Sequence, residues 1–205
     1  GRVLEQDLVS IANAIYGGTF EQLPAWQTIT QHTRRIHLVG LVSDGGVHSH
    51  IEHLLGILSL LRNTEIEPVI HMITDGRDTA PRAALEYLGA LEESLASLGR
   101  GSIATVSGRY SAMDRAKYWD RTERAWKAMV LGQGFTAENA RAAIETAYAR
   151  NEGDEFIQPT VIVGHGGIAI DEPVLFFNFR SDRVRQLTAA FGLDDFAEFE
   201  RNSIC

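Results

Sequence analysis

Apolar residues along the chain fall into two patterns, which together predict alternating strands and helices. Short, nearly continuous apolar runs at 35–42, 67–74, 102–107 and 173–179 are typical of buried strands. Apolar positions three and four residues apart predict amphipathic helices around and between these runs. The predicted helices cover residues 3–15, 20–32, 51–61, 81–98, 119–131, 138–149 and 184–191, the second of them more weakly than the rest.

This alternation predicts an α/β fold, with a mostly parallel sheet between two layers of helices. The helices before residue 35 would form an N-terminal connector to this three-layer α/β/α body. Residues 160–164, followed by Gly166 and Gly167, predict a small hairpin arm. Pro81 is expected to open its helix, because the missing N–H of a proline is tolerated in a first turn.

Composition narrows the range of functions. The 205 residues are 44% hydrophobic, enough for one substantial core, and the net charge of −8 argues against a nucleic-acid binder. No apolar run approaches the roughly 20 residues of a membrane span, so we expect no membrane partner. The single cysteine, Cys205, fits a reducing, cytoplasmic setting. Because no methionine precedes Met72, we expect the chain to be a piece of a longer protein.

Charged side chains concentrate in the loops that follow the four predicted strands. Right-handed crossovers place the carboxyl ends of parallel strands at one edge of the sheet, where ligands bind in such folds. The four loops carry Ser43, Asp44, His48 and His50; Asp75, Arg77 and Asp78; Arg109, Tyr110, Asp114 and Arg115; and Asn178, Arg180, Asp182 and Arg183. The sequence therefore predicts a rim of five arginines with interspersed carboxylates.

Such a rim predicts an anionic ligand. Two guanidinium groups about 6 Å apart repel each other by roughly 3 kcal/mol at an effective dielectric near 20. Carboxylates in the loops relieve part of this repulsion, and a ligand would relieve the rest. The planar fork of arginine suits a small molecule that carries both phosphate and carboxylate. Asp78 is either an N-cap or salt-bridge partner, or a general base for a substrate hydroxyl.

The stretch GGVHSHIEH at 45–53 leaves two interpretations open. His48, His50 and His53 resemble the H-x-H-x-D-H run of metallo-β-lactamase-type hydrolases, which would make the protein a zinc hydrolase. Glu52 stands where that run has aspartate, and this interpretation leaves the arginine loops unexplained. In the other interpretation, the glycine turn directs His48 at an anion, whereas His50 and His53 are exposed bystanders.

Four longer motifs resemble one enzyme family. SDGGVHSHIEHL, DGRDT, SGRYSAMDRAKYWDRTERAW and FNFRSDR occur in the order found in the cofactor-independent (2,3-bisphosphoglycerate-independent) phosphoglycerate mutases. The resemblance implies glycolytic interconversion of 3-phosphoglycerate and 2-phosphoglycerate through a phosphoserine. It also implies an alkaline-phosphatase-like domain with the serine and two manganese ions, into which a substrate-binding α/β domain is inserted. The chain resembles that inserted domain, with connectors near 1–5 and 195–205.

The resemblance also assigns roles to residues. The substrate-contacting positions of the family fall on His48, Arg77, Asp78, Arg109, Arg115, Arg180 and Arg183. Asp78 matches the residue that transfers protons with the glycerate hydroxyls. The resemblance places the serine and the metal ligands outside the chain, so it implies that this chain binds no metal and is inactive alone. A stand-alone phosphate- or carboxylate-binding module remains the alternative to this partial enzyme.

Overall fold

A six-stranded sheet organises the chain in a computed structural model that describes residues 6–31 and 33–201. The strands are β1 (Arg35–Leu41), β2 (Glu67–Thr74), β3 (Ser102–Gly108), β4 (Phe135–Ala137), β5 (Thr160–Ile162) and β6 (Val174–Phe176). Their order across the sheet is β4-β5-β3-β2-β1-β6. Every pairing is parallel except the antiparallel contact between β3 and β5.

Helices cover both faces of this sheet, which confirms the predicted α/β fold. The helices are α1 (Asp7–Tyr16), α2 (Pro24–Gln31), α3 (Ile51–Leu60), α4 (Ala84–Leu98), α5 (Arg109–Ala112), α6 (Trp119–Leu131), α7 (Ala140–Ala149) and α8 (Arg185–Gly192). Residues of α1, α2, α3, α4 and α7 share one core cluster, whereas α5, α6 and α8 contribute to a second. None of the helices in the described ranges is long and apolar enough to cross a membrane.

Successive side chains of the central strands point to opposite faces of the sheet, so these strands contribute residues to both core clusters. In β1, Ile36 and Leu38 join the first cluster, while Val39 and Leu41 join the second. Because both faces are covered, almost every residue of β1 and β2 is buried. A strand buried on both faces is a continuous apolar run in sequence, which explains why β2 was predicted with its observed bounds and β1 to within one residue.

The predicted hairpin arm is wrong. Residues 160–162 form β5, which lies inside the sheet between β4 and β3. Neither partner is adjacent to it in sequence, and β4 has only three residues, so local pattern gave no signal for either pairing. The predicted strand at 173–179 also shortens to Val174–Phe176.

Two helix starts differ from the prediction. Pro81 does not open α4, which begins at Ala84. The Asp154 carboxylate fixes this start by accepting from the amides of Ala83 (2.8 Å) and Ala84 (2.9 Å). This is an N-cap supplied by a residue distant in sequence. The weak helix predicted at 20–32 divides at Pro24, with a 3₁₀ turn before it and α2 after it.

The predicted connectors lie partly outside the described residues. Residues 1–5 and 202–205 are among those not described. Phe196 and Phe199 precede the latter and stack edge-on against Trp119 and at a tilt against Trp126, respectively. The connector prediction for 195–205 therefore includes residues that pack against the second core.

A buried polar chain crosses the second face of the sheet. The His37 and His71 rings are joined through Nδ1 and Nε2 at 2.9 Å, and the His71 Nδ1 lies 2.9 Å from the Thr105 hydroxyl. The His37 Nε2 lies 3.0 Å from Glu172, and the His165 ring stacks edge-on against His71. Burial lowers the pKa of all three imidazoles, that of His71 well below its ordinary value.

Burial of these imidazoles predicts that the protein loses stability in acid. Neutral, buried imidazoles bind fewer protons than the same groups in the unfolded chain, so their contribution is complete above their unfolded pKa of about 6.5. As the pH falls below that value, stability is lost, by about 2 kcal/mol at pH 5 for one imidazole that stays neutral. Urea unfolding of the chain at pH 7 and pH 5 should show this loss.

The His71→Gln variant should lose part of this pH dependence, whatever its stability at pH 7. The matched control is His50→Gln, which removes an imidazole outside the buried chain. An equal pH dependence in wild type and His71→Gln would contradict the assignment.

Candidate anion-binding site

Four loops meet at the carboxyl ends of β1, β2, β3 and β6, as the parallel strands require. Backbone hydrogen bonds join the first and fourth loops, since the amides of Phe179 and Arg180 both donate to the His48 carbonyl. The first and second loops touch at Gly45, where an added Cβ would lie 3.0 Å from the Cβ of Asp78. A side chain at position 45 would therefore crowd Asp78, which favours glycine where the GGVHSH turn approaches the DGRD turn.

The centre of the site is an ion-pair triad formed by Arg109, Asp75 and Asp78. Arg109 is buried and follows directly after β3. Its Nη1 lies 2.6 Å from the Asp75 Oδ1 and 2.6 Å from the Asp78 Oδ2. Asp75 is also buried, whereas the Asp78 side chain is 19% exposed. The triad thus holds the Asp75 carboxylate inside and leaves the Asp78 carboxylate partly exposed at the solvent-facing opening of the site.

Asp75 ties three of the loops together. Its Oδ2 accepts from the Ser43 hydroxyl (2.7 Å), and its Oδ1 accepts from the amides of Arg77 (3.2 Å) and Asp78 (3.0 Å). Burial alone would raise the pKa of Asp75. The hydrogen bonds from the Asp78 amide, the Ser43 hydroxyl and the Arg109 guanidinium outweigh burial and hold its pKa below its ordinary value.

His48 lies at the inner wall of the site, between two carboxylates. Its Nε2 is 3.8 Å from the Asp78 Oδ2, and its Nδ1 is 3.7 Å from the Asp182 Oδ1. Burial and the neighbouring Arg109 lower the pKa of His48, and the two carboxylates offset this only in part. A buried, neutral imidazole can bind a ligand oxygen as a hydrogen-bond donor.

The outer rim is built around Asp182. Its Oδ2 accepts from the Arg115 Nη1 (2.7 Å), and the Arg180 Nε lies 3.0 Å from its Oδ1. About half of the Arg115 and Arg180 side chains is exposed. The Arg77 guanidinium is more peripheral, with its Nη1 3.7 Å from the Glu155 carboxylate.

Arg183 completes the cationic group. Burial lowers its pKa, and so do the charges of Arg109, Arg115 and Arg77. Its Nη1 donates to the Met113 carbonyl at 3.4 Å, but its Nε is buried without a hydrogen-bond partner. An unsatisfied buried donor is costly, so this nitrogen would favour an anionic acceptor at the rim.

The structure therefore brings the predicted residues to one edge of the sheet. His48, Asp78, Arg109 and Arg183 are linked by short distances or direct charge interactions, and Arg115 and Arg180 share Asp182. Asp78 does not cap a helix, because α4 begins later, at Ala84. Its salt-bridge partner is Arg109.

The other two histidines of the 45–53 stretch have structural roles. The His50 Nδ1 accepts from the Glu52 amide and caps α3. His53 is buried, which corrects its expected exposure, and its Nε2 donates to the Leu8 carbonyl of α1 at 3.0 Å. The three imidazoles thus have separate partners, which argues against the zinc-hydrolase interpretation. Within residues 6–31 and 33–201, no group of three histidine, cysteine, aspartate or glutamate side chains is arranged to hold a metal ion.

One residue of the site, Glu155, has no local sequence signal, and one sequence candidate, Asp114, has a different role from the one expected. Glu155 reaches the rim from a segment after α7, and the same segment packs so closely that a Cβ on Gly108 would lie 2.4 Å from the Glu155 carbonyl oxygen. Asp114 was a candidate from its loop, yet it is a structural residue. Its Oδ2 accepts from the amides of Ala116 and Tyr118 and from the Gln186 side chain.

Comparison with protein families matches residues 11–205 to the family described as BPG-independent PGAM N-terminus, where PGAM denotes phosphoglycerate mutase. This chain belongs to that phosphoglycerate mutase family. The match includes all four motifs on which the resemblance rested.

Curated relatives and a solved structure agree with this assignment. The chain is 49% identical over 98% of its length to the 2,3-bisphosphoglycerate-independent phosphoglycerate mutase of Symbiobacterium thermophilum, covering 40% of that protein. It is 47% identical over 98% of its length to the mutase of the same name from a Synechococcus species, covering 38% of it. The chain thus spans about two fifths of the length of the curated relatives it matches.

A phosphoglycerate mutase from Leishmania mexicana, crystallised at low cobalt concentration, has the same fold. The structures agree with a TM-score of 0.93 at 30% sequence identity, over 99% of this chain and 40% of the other. Because the match covers nearly the whole of this chain, it includes the sheet and both of its helix layers.

The buried triad predicts a large difference between two arginines. Arg109→Ala would leave Asp75 and Asp78 without their shared partner and should lower the free energy of unfolding by about 3–5 kcal/mol. Arg115→Ala removes a half-exposed partner of Asp182 and should cost at most about 1 kcal/mol. Urea unfolding at neutral pH measures both changes, and similar losses in the two variants would contradict the central place of Arg109.

Proposed function

We propose that this chain is the substrate-binding part of a phosphoglycerate mutase that interconverts 3-phosphoglycerate and 2-phosphoglycerate in glycolysis. The observation that carries the proposal is the convergence of Arg109, Arg115, Arg180 and Arg183 with His48 and Asp78, in a chain of this family. Phosphoglycerate carries both a phosphate and a carboxylate, the two groups for which the guanidinium fork is suited.

Charge balance within the site supports an anionic substrate. The five arginines face four carboxylates, from Asp75, Asp78, Asp182 and Glu155, and His48 has a lowered pKa. These groups alone carry one positive charge in excess, which an anionic ligand would neutralise. The half-exposed Arg115 and Arg180 would meet the ligand at the opening, and the buried Arg109 and His48 would line its inner end.

In this proposal, Asp78 transfers the proton of the substrate hydroxyl. Its carboxylate is partly exposed at the opening, and one of its oxygens is held by the Arg109 Nη1 at 2.6 Å. Since Arg109 fixes one side of the carboxylate, the other oxygen would accept the hydroxyl proton in a fixed direction. A positioned general base of this kind contributes about 10²–10⁴ to a rate.

We assign the phosphoserine and the metal centre to parts of the protein outside this chain. The chain covers about two fifths of its curated relatives, and the described residues contain no group arranged for a metal ion. The implied pair of manganese ions would thus belong to the alkaline-phosphatase-like domain, the proposed partner of this one. That domain would also enclose the substrate, since an exposed rim cannot exclude water. Glycolysis would place the whole protein in the cytoplasm.

Steady-state kinetics of the full-length protein that contains this chain tests the proposal. Asp78→Asn should lower kcat/KM for 3-phosphoglycerate by about 10² or more, because it removes the proposed base and keeps the shape of the side chain. The matched control is Arg141→Ala, which removes an exposed partner of Glu92 on α4. This control should keep the parent's kcat/KM.

The isolated chain should show no turnover with manganese and 3-phosphoglycerate. Parental kcat/KM in Asp78→Asn, or turnover by the isolated chain at the rate of the full-length protein, would contradict the proposal. Binding of phosphate by a full-length protein without mutase activity would favour an anion-binding module instead.

A further inference from the structure

We propose that Asp182 is an internal counter-anion, which holds Arg115 and Arg180 in the ligand-free site and competes with the bound anion for them. The inference rests on the proposed function only in requiring that the site binds an anion. It assigns Asp182 a positioning role that also limits affinity, so its removal should tighten binding.

The first support is the position of Asp182 among the cationic groups. It lies in the turn Ser181–Arg183, and its two oxygens are divided between Arg115 of the third loop and Arg180 of its own loop. A ligand phosphate or carboxylate would seek the same two guanidinium groups. Arg115 and Arg180 are half exposed and long, so both can exchange one anionic partner for another.

The second support is the contrast between Asp182 and Asp75. The Asp75 carboxylate accepts from two backbone amides as well as from Ser43 and Arg109, so the fold itself depends on those bonds. Among residues 6–31 and 33–201, the hydrogen bonds and ion pairs of the Asp182 carboxylate are all with side chains, those of Arg115, Arg180 and His48. Asp182 can therefore be displaced without breaking backbone hydrogen bonds, whereas Asp75 cannot.

The third support is incomplete hydrogen bonding around Asp182. The Asp182 Oδ1 and the His48 Nδ1 face each other at 3.7 Å; the His48 Nδ1 is buried without a hydrogen-bond partner, and the Asp182 Oδ1 has its ion pair with the Arg180 Nε but no hydrogen bond. The Arg183 Nε is a third such atom in the same site. Buried polar atoms are usually satisfied. A bound anion would therefore replace Asp182 as the partner of Arg115 and Arg180.

Inorganic phosphate titration of the isolated chain tests this inference. Heat of binding is measured at neutral pH and low ionic strength for wild type and Asp182→Asn, which removes one charge and keeps the shape of the side chain. Removing a like charge a few ångströms from the bound anion should lower the phosphate Kd by about tenfold. The gain should shrink as salt is added, because the site is open to solvent.

The matched control is Asp120→Asn on α6. This carboxylate is 73% exposed and pairs only loosely with Arg124, at 3.6 Å, and its replacement changes the net charge by the same amount. The phosphate Kd of this variant should stay within about twofold of wild type, since so exposed a charge acts largely through water, whose high dielectric weakens its interaction with the bound anion. Asp182→Ser, with a shorter side chain, should reproduce the gain of Asp182→Asn.

Tighter binding is a readout that structural damage does not produce. An unchanged or raised Kd in both Asp182 variants would overturn the inference, as would absence of saturable phosphate binding in them. An equal gain in Asp120→Asn would also overturn it, because net charge alone would then explain the effect. The mutase proposal fails separately, through the full-length kinetics, and phosphate binding does not depend on that result.

Discussion

The site depends on one buried interaction, the contact of the Arg109 guanidinium with Asp75 and Asp78. A guanidinium without a partner could not remain in this position, because removing a charge from water costs several kcal/mol. Asp75 is the fixed partner, since its oxygens also accept from Ser43 and from the amides of the DGRD turn. With Asp75 fixed, Arg109 is fixed, and Arg109 in turn orients Asp78 towards the opening.

The fold supplies this arrangement through parallel strand order. Because β1, β2, β3 and β6 run in the same direction, their four loops share one edge, and each loop contributes part of the site. The layers of helices bury the strands and keep the loop origins fixed. The ion pairs are then divided by depth, with Arg109 and Asp75 inside and Arg115, Arg180 and Asp182 at the rim. The inner pairs determine structure, whereas the outer pairs are free to exchange with a ligand.

Much of this arrangement could be predicted from sequence, for a physical reason. β2 was predicted with its observed bounds, since a strand buried on both faces is apolar throughout. The convergence of the arginine loops follows from strand–helix alternation and handed crossovers alone. The features that escaped prediction depend on residues distant in sequence. Asp154 determines where α4 begins, β5 pairs with strands remote from it, and α1 covers His53 through Leu8.

The division between Asp75 and Asp78 could not be predicted for the same reason. Both residues belong to one short turn, and either could have been the exposed carboxylate. Their difference arises from Ser43 and Arg109, which reach Asp75 from other loops. Local sequence thus located the site, while tertiary contacts assigned the role of each carboxylate within it.

The most direct test is a crystal structure of this chain soaked with 3-phosphoglycerate. The account predicts the ligand at the carboxyl edge of the sheet, with its anionic groups on Arg109, Arg115, Arg180 or Arg183 and a hydroxyl within hydrogen-bonding distance of Asp78. Ligand bound elsewhere, or these arginine side chains splayed apart around an empty edge, would contradict it.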